Sequence, residues 1–261
     1  MTNKTMAGAR APIAIQLSYE RAIKEVLRAI NKRVKGVVDR SYYANMSKSQ
    51  LKKLVKDLHT ARNKFEQKFD KIASTIDNEF VNKVAKSVQL QLKQNIERSD
   101  VKFVKTGVLF AISPEISKKM EAFTAENVSL IKSIPSQYFD RLEGSVYRAA
   151  SKGLDRKTLF EELVNDYGIT KRRAALIAND QTSKLTSQIN DAMALELGYK
   201  RATWMHSGGS KEPRPTHLAM NGKEYKIEEG LYDPHERRKV KPGELIKCGC
   251  FPNYILEKGM I

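Results

Sequence analysis

Five side chains of the types that bind metal ions lie close together near the end of the sequence. They are three of the four histidines and both cysteines, namely His206, His217, His235, Cys248 and Cys250. Thiolates and imidazoles are preferred ligands of zinc, and a structural zinc site usually has four of them. The sequence therefore predicts a structural zinc site built from His206, His217, Cys248 and Cys250, in a module with a small core. The alternative is two buried thiols and polar loop histidines, because Cys-x-Cys is tighter than the usual spacing.

The same residues could also support catalysis, although their pattern is less typical of it. Cys248 or Cys250 with His217 would make a nucleophilic pair, but such pairs are recognised by geometry rather than by spacing. Asp233 and His235 have the order found in some metal-dependent nuclease loops, which is a weak pattern on its own. The sequence has no glycine-rich phosphate loop of the Walker or GxGxxG type. We therefore predict no enzymatic activity, with a metal-dependent nuclease as the weaker alternative.

The segment that carries these residues differs in composition from the rest of the chain. Helical periodicity stops before residue 199, and glycine and proline then become frequent. Three runs have the composition of short strands: 199–205, 223–227 and 251–256. We predict a small module of loops and short strands, in which Trp204, the sole tryptophan, is a core anchor.

The first 150 residues have the periodicity of long amphipathic helices. Apolar residues recur at steps of three and four from Ile23 to Val37, and again from Leu51 to Leu92. Ser47 and Gln50 form the pattern of a capping box at the start of the second stretch. Because neither proline nor glycine occurs in residues 47–100, a helix of about 50 residues is expected. A break near residues 74–78 is the alternative.

Further helices are predicted between residues 113 and 198. Ser113, followed by proline, has the pattern of an N-cap, and we expect its helix to end at Pro135, where another helix begins. Asp155 is a typical N-cap for a helix that would stop at Gly168. Thr170 would then cap the last helix, which glycine 198 should end.

These patterns predict a mainly α fold with an elongated N-terminal part of long helices and a small α+β C-terminal module. We divide the sequence into a long-helix region (1–112), a helical portion (113–198) and the loop and strand module (199–261). Residues 101–112 are rich in β-branched and aromatic side chains, which favours a short strand or a loop.

The charge of the chain is strongly positive and unevenly distributed. The formal net charge is +17, but the residues from His206 onward contribute only +2, with ten Lys and Arg against eight Asp and Glu. The first 205 residues therefore carry +15. Such an excess favours polyanionic partners such as nucleic acid, acidic proteins or anionic lipid. A lysine-rich solvated surface is the alternative.

Lysines on the predicted 50-residue helix are the candidates for contact with DNA. They lie mostly off the apolar face, where charge alone could follow the phosphate backbone. Acidic residues are interspersed, and no pattern for reading bases is present, so the predicted contact is non-specific. The candidates are Lys52, Lys53, Lys56, Lys64, Lys68 and Lys71.

Composition also limits the compartment and the partners. Hydrophobic residues make up 41% and charged residues 30%, which is typical of a globular protein rather than a disordered one. No run of about 18 apolar residues occurs, so we expect no membrane partner. The N-terminal residues lack the apolar segment of a secretory signal. Two cysteines separated by one residue indicate a reducing compartment.

Four sequence pieces occur in order between residues 126 and 253, and together they are similar to one family. The first is Asp180-Gln181-Thr182 within a helix, and the second is "LGYKRATW", with Gly198 and Trp204. The third is a charged loop with Arg214-Pro215-x-His217 and Asn221-Gly222, and the fourth is "PGELIKCGC", from Pro242 and Gly243 to Cys250. In this order the pieces resemble the phage head morphogenesis family, which includes the Mu protein F-like minor head proteins.

Two positions depart from the pattern of that family. The loop after Trp204 usually has an acidic residue and an arginine-rich turn, and Glu212 and Arg214 are the nearest equivalents here. The arginine that usually separates the two cysteines is replaced by Gly249. If that arginine makes a pairing contact in other members, its role is lost or moved in this chain.

The resemblance implies a minor head protein of a tailed bacteriophage or prophage. Its expected partners are the portal protein and capsid or scaffold proteins during procapsid assembly at the portal vertex. The expected location is inside the virion head near the portal, after assembly in the host bacterial cytoplasm. Contact with packaged double-stranded DNA would suit the basic first 205 residues. A DNA-binding protein outside the virion is the alternative function.

Overall fold

The computed structural model describes residues 5–98, 112–209 and 212–256. The helices are α1 (Ile13–Ser41), α2 (Lys48–Glu97), α3 (Pro114–Ser151), α4 (Arg156–Glu196) and α5 (Pro215–Met220). The strands are β1 (Thr5–Ala7), β2 (Arg201–Met205), β3 (Glu224–Lys226), β4 (Leu231–Asp233), β5 (Arg238–Val240) and β6 (Phe251–Ile255). The predicted fold class, mainly α with long N-terminal helices and a small C-terminal module, is confirmed. The predicted strand or loop at 101–112 lies outside the described residues, apart from its last position.

Contacts divide the chain into two compact units, each assembled from separated segments. Unit 1 comprises the described residues within Met1–Gln16, Phe80–Thr124 and Asn179–Ile261, and unit 2 those within Leu17–Glu79 and Ala125–Ala178. The three-segment division of the sequence remains a prediction. Among the helices of the described residues, none combines the length and the apolar character that a membrane span requires.

The capping box predicted at the start of α2 is present. Gln50 N–H donates to Ser47 Oγ (3.3 Å), and Ser47 N–H donates to Gln50 Oε1 (2.8 Å). The helix then continues for 50 residues without the break considered near residues 74–78. The hydroxyls of Ser74 and Thr75 donate to carbonyls four residues earlier, so these two polar side chains are satisfied inside the helix.

Helix α3 begins as predicted and ends later than predicted. Ser113 Oγ accepts the N–H of Ile116 (3.1 Å), which confirms the N-cap. The expectation that Pro135 ends the helix was wrong, because α3 continues through it to Ser151. An interior proline removes one helical hydrogen bond and costs about 3 kcal/mol. The neighbouring Ile134 and Tyr138 are fully buried, and this packing offsets the cost.

Helix α4 also extends through two predicted boundaries. Asp155 Oδ1 accepts the N–H of Thr158 (2.8 Å), so the predicted cap is confirmed. The predicted stop at Gly168 and the predicted cap at Thr170 were wrong, since Thr170 Oγ1 donates to Asp166 O inside the helix (2.9 Å). Gly198, with a φ of +88°, follows the helix as the predicted C-terminal glycine.

Unit 2 consists of segments of the four long helices packed around an apolar core that includes Leu27 and Leu54. Three buried polar side chains interrupt this core and are hydrogen-bonded to one another. Asn127 Nδ2 donates to Tyr19 Oη (2.7 Å) and to the carboxylate of Asp77. Such a network fixes one arrangement of the helices, because a shifted register would leave buried polar groups unpaired.

Unit 1 contains an antiparallel four-stranded sheet of order β1-β6-β2-β3. The three predicted strands are confirmed as β2, β3 and β6. Ala202 of β2 pairs with Tyr254 and Tyr225 on its two sides, and all three side chains are buried. Sequence patterns did not predict β1, the short helix α5 or the β4–β5 hairpin, whose strands have three residues each.

Candidate metal centre

Three of the four predicted metal ligands converge in unit 1. His217, Cys248 and Cys250 are buried, and their ligand atoms all lie within 4.8 Å of one another. His217 Nδ1 is 3.4 Å from Cys248 Sγ and 3.7 Å from Cys250 Sγ. His206 does not belong to this group, and its Nδ1 instead accepts the N–H of Gly208 (3.1 Å).

The short helix α5 carries His217 and is fixed at its N-terminal end. Pro215 occupies its first turn, where a proline costs no hydrogen bond. Arg214, immediately before the helix, donates from its guanidinium to Ile246 O (2.9 Å), on the segment that leads to Cys248. The His217 ring packs edge-on against fully buried Trp204, with ring centroids 5.0 Å apart. These contacts fix both the position and the plane of the imidazole.

A buried carboxylate faces the second nitrogen of the same imidazole. Asp233 Oδ2 lies 3.6 Å from His217 Nε2 and accepts the hydroxyl of Thr216 (3.1 Å). Burial opposes ionisation of Asp233, but the backbone N–H of His235 and the Thr216 hydroxyl outweigh it and lower the pKa of this carboxyl. An ionised Asp233 attracts the proton of His217 to Nε2. The lone pair of Nδ1 is then directed toward the two sulfurs.

The cysteines are positioned by a turn anchored on α4. Ser187 Oγ donates to Pro242 O (2.5 Å), and Gly243 N–H donates to Cys248 Sγ (3.4 Å). Gly243 has a φ of +82°, and a Cβ atom at this position would lie 3.1 Å from Ser187 Cβ. The Pro-Gly sequence therefore serves the geometry of the thiol site, since glycine is suited to both the conformation and the close approach.

The two thiols differ in how readily they ionise. A hydrogen bond from the Cys250 thiol lowers the pKa of Cys248, and the same hydrogen bond together with burial raises the pKa of Cys250. The pair therefore holds one negative charge readily and a second only when a cation compensates it. Metal binding supplies such a cation and releases the remaining proton.

Part of the chain, including this cluster, is similar to a known protein family. The family described as "Phage Mu protein F like protein" matches residues 140–251, from within α3 to the first residue of β6. The predicted resemblance to the Mu protein F-like family is thus confirmed over residues 140–251. The matched span contains α4, α5 and all three clustered ligands.

One relative extends the similarity beyond the matched span. An uncharacterized protein of Haemophilus influenzae is 32% identical over 145 residues, which cover 56% of this chain. The same alignment covers 31% of the relative, so the chain spans about a third of that protein's length. No solved structure matches the chain.

The Asp-Gln-Thr sequence that resembles the Mu protein F-like family lies on α4 and is buried. Asp180, Gln181 and Thr182 are between 0% and 7% exposed. Asp180 Oδ2 lies 2.8 Å from Lys184 Nζ and accepts the amide of Gln181 (3.3 Å). Asp180 and Gln181 thus have partners on the same helix, and all three side chains are buried, which is the pattern of packing residues rather than of an exposed reactive group.

The Asn-Gly sequence of the same resemblance holds the end of β2. Gly222, with a φ of +80°, donates its N–H to Trp204 O (2.9 Å). Asn221 Oδ1 accepts the N–H of His206 (2.9 Å). Trp204 is therefore fixed through its backbone as well as through its buried ring, as expected of a core anchor.

The nuclease pattern considered from the sequence is not assembled as a reactive pair. Asp233 is fully buried and accepts the backbone N–H groups of His235 (2.9 Å) and Glu236 (3.4 Å). The His235 side chain is 81% exposed and lies 3.5 Å from Glu236. Asp233 thus closes a turn and faces His217, whereas the imidazole of His235 points to solvent.

The lysine candidates for DNA contact lie on α2 in unit 2. Lys52, Lys53, Lys56, Lys64 and Lys71 are exposed, and the side chain of Lys68 lies outside the described part of the structure. Four of these lysines lie on one side of the helix. Successive members are three, eight and seven residues apart, which places their side chains within an arc of about 80° around the helix axis. This group, called the lysine face below, consists of Lys53, Lys56, Lys64 and Lys71.

Sequence reasoning missed two residues that organise the cysteine and histidine cluster. Asp233 was considered only within a nuclease pattern, and Ser187 was not singled out. A signal for Asp233 does exist, because Asp followed by proline favours a turn in which the carboxylate accepts backbone N–H groups. Ser187 had no local signal, since its partner Pro242 is 55 residues away.

Proposed function

We propose that the chain is a minor head protein of a tailed bacteriophage or prophage that acts in procapsid assembly at the portal vertex. The observation that carries this proposal is the match of residues 140–251 to the Mu protein F-like family. Structural head proteins form this family, which favours a non-enzymatic role. The proposed partners are the portal protein and capsid or scaffold proteins, and the proposed location is the head interior near the portal.

Contact with packaged DNA is the second part of the proposal. The lysine face is exposed and spans 19 residues of one helix, which is about 27 Å at 1.5 Å per residue. Four cations over this length can contact several phosphates without reading bases. The net charge of +17 supports the same partner, because packaged DNA is a dense polyanion.

Affinity purification from phage-producing cells tests the portal association. A tagged chain is expressed during infection or prophage induction, and the proteins recovered before DNA packaging are identified by mass spectrometry. We expect the portal protein to be enriched over a tail protein of the same phage. Recovery of the major capsid protein without the portal would contradict the portal-vertex role while leaving a broader head role intact.

A DNA-binding protein outside the virion is the competing function that the lysine face also favours. It predicts salt-dependent binding to free duplex and no recovery of head proteins in the same purification. A head protein instead predicts co-purification with head components whether or not free duplex is bound. The two functions are therefore separated by the protein partners rather than by DNA affinity.

A further inference from the structure

We propose that His217 Nδ1 and the Sγ atoms of Cys248 and Cys250 bind one zinc ion, in a site whose histidine is oriented by Asp233. The four residues reach this point from α5, the end of β4 and the segment before β6, so the site joins three parts of unit 1 that are distant in sequence. The proposal is independent of the head role, because metal binding is measured on the isolated chain.

The distances between the ligand atoms agree with a tetrahedral zinc ion. Zinc lies about 2.3 Å from a thiolate sulfur and about 2.0–2.1 Å from an imidazole nitrogen. At a tetrahedral angle these bonds separate sulfur and nitrogen by about 3.5 Å. The two observed separations from His217 Nδ1 are 3.4 Å and 3.7 Å. Both nitrogen–sulfur separations therefore lie within about 0.2 Å of the value for a tetrahedral zinc ion.

The surroundings of Cys248 suit a thiolate bound to a soft cation. Cys248 Sγ accepts the N–H of Gly243 (3.4 Å), so this sulfur has a donor that compensates part of its charge. Two thiolates and one imidazole favour zinc over magnesium or calcium, which prefer oxygen.

Asp233 lies at the position of the outer contact that histidine ligands of zinc usually have, at a separation slightly longer than a hydrogen bond. A metal-bound imidazole almost always donates its other N–H to a carboxylate, a carbonyl or water, and this fixes the tautomer and the ring orientation. Asp233 Oδ2 is 3.6 Å from His217 Nε2 in the described structure. Asp233 is 0% exposed and His217 is 3% exposed, so water competes little for this contact.

The described residues provide three ligands, and the fourth position can be filled from solvent. Cys248 and Cys250 line a cavity of about 460 Å³ together with Arg10, Thr186 and Lys247. A cavity of this size admits water next to both sulfurs. Zinc sites with three protein ligands commonly complete their tetrahedron with a water molecule.

Cobalt titration of the full chain tests the site without relying on any variant. The chain is purified, stripped with a chelator and titrated with Co²⁺, which replaces zinc and reports thiolate ligands by an intense charge-transfer absorption. We expect saturation at one equivalent, visible bands of tetrahedral cobalt, and complete displacement by one equivalent of zinc. Absence of the thiolate absorption at saturating cobalt would overturn the proposal.

Variants then assign the individual roles. Cys248→Ser, Cys250→Ser and His217→Ala are each expected to weaken binding by at least 100-fold, and each serine variant should also lower the charge-transfer intensity. Asp233→Asn is expected to weaken binding about 10- to 100-fold while leaving that absorption unchanged at saturation. His206→Ala and His235→Ala are matched histidine controls and should bind as the parent does. Equal affinity of Asp233→Asn and the parent would overturn the orienting role of Asp233.

Discussion

The cysteine and histidine cluster and the lysine face differ in how the chain builds them. The cluster consists of His217, Cys248 and Cys250. His217 precedes the two cysteines by 31 and 33 residues, and the three side chains meet only because turns, a short helix and strands bring them together. The lysine face comes from a single helix, and any regular helix with this sequence would present it. A site built by tertiary structure should therefore fail on single substitutions, whereas a charged face should lose function in small, additive steps.

The largest expected effect is the loss of thermal stability when zinc is removed from His217, Cys248 and Cys250. If the concentration of free zinc is about 1,000 times its Kd, zinc binding adds about 4 kcal/mol to the free energy of unfolding. For a chain of this size, a chelator should then lower the Tm by about 10 °C. Differential scanning calorimetry with and without chelator measures the change. Cys248→Ser is the control, because its Tm should be low and insensitive to the chelator.

The next largest effect concerns the turn that positions Cys248. Gly243→Ala places a Cβ atom 3.1 Å from Ser187 Cβ at a φ of +82°, so we expect a loss of about 2–3 kcal/mol. Gly222→Ala is the matched control, with a φ of +80° and nothing within 4 Å of the added atom. It should cost only about 1 kcal/mol. Equal losses in urea unfolding would show that contact with α4 does not matter.

A buried carboxyl in unit 1 gives a smaller, pH-dependent effect. Burial raises the pKa of Asp191 to about 6, although Lys241 and a hydrogen bond from Tyr254 oppose the shift. The folded state holds the proton more tightly than the unfolded chain, where the pKa is about 3.9. Stability from this group is therefore complete below about pH 4 and is lost as the pH rises through 6.

Asp191→Asn should remove that dependence, because an amide does not titrate and still accepts the hydroxyl of Tyr254. The parent should lose on the order of 2 kcal/mol between pH 4 and 6, and the variant should lose less. Urea unfolding at several pH values measures both. Parallel curves for the two proteins would exclude Asp191 as the source of the dependence.

The smallest effect on stability, and a graded effect on DNA binding, is expected at the lysine face. Replacing Lys53, Lys56, Lys64 and Lys71 by Gln should leave the Tm nearly unchanged, because all four are exposed. The slope of log K against log salt for duplex DNA should fall by up to about 3.6, and by about 0.9 for each single variant.

A control with the same loss of charge separates position from net charge. Lys118, Lys152, Lys157 and Lys223 are exposed lysines outside the lysine face, and their replacement by Gln removes the same four charges. If the lysine face contacts DNA, this control should change the salt slope much less. Equal changes in both quadruple variants would mean that binding follows net charge alone.

The parts of the fold that depend on near neighbours could be predicted from the sequence. The cap formed by Ser47 and Gln50 and the cap at Asp155 follow from residues three positions apart. The helix breaks predicted at Pro135 and Gly168 were wrong. The expectation that proline or glycine ends a helix applies to a helix without tertiary contacts. In this chain the buried neighbours of Pro135 outweigh the lost hydrogen bond.

The same distinction applies to the candidate metal centre. Residue type alone pointed to His217, Cys248 and Cys250, since few other side chains favour zinc. The outlying position of His206 and the orienting contact of Asp233 depend on how the loops between residues 206 and 250 fold. Glycine and proline make those loops, and their paths are set by contacts with α4 and β2 rather than by periodicity.

The most direct test of the head assignment is quantitative mass spectrometry of purified heads. Virions and empty procapsids are isolated from a phage that encodes this chain, and its copies are counted relative to the portal protein. The account predicts that the chain is present in both particles at a low copy number comparable to that of the portal. Absence of the chain from virions and procapsids alike would contradict it.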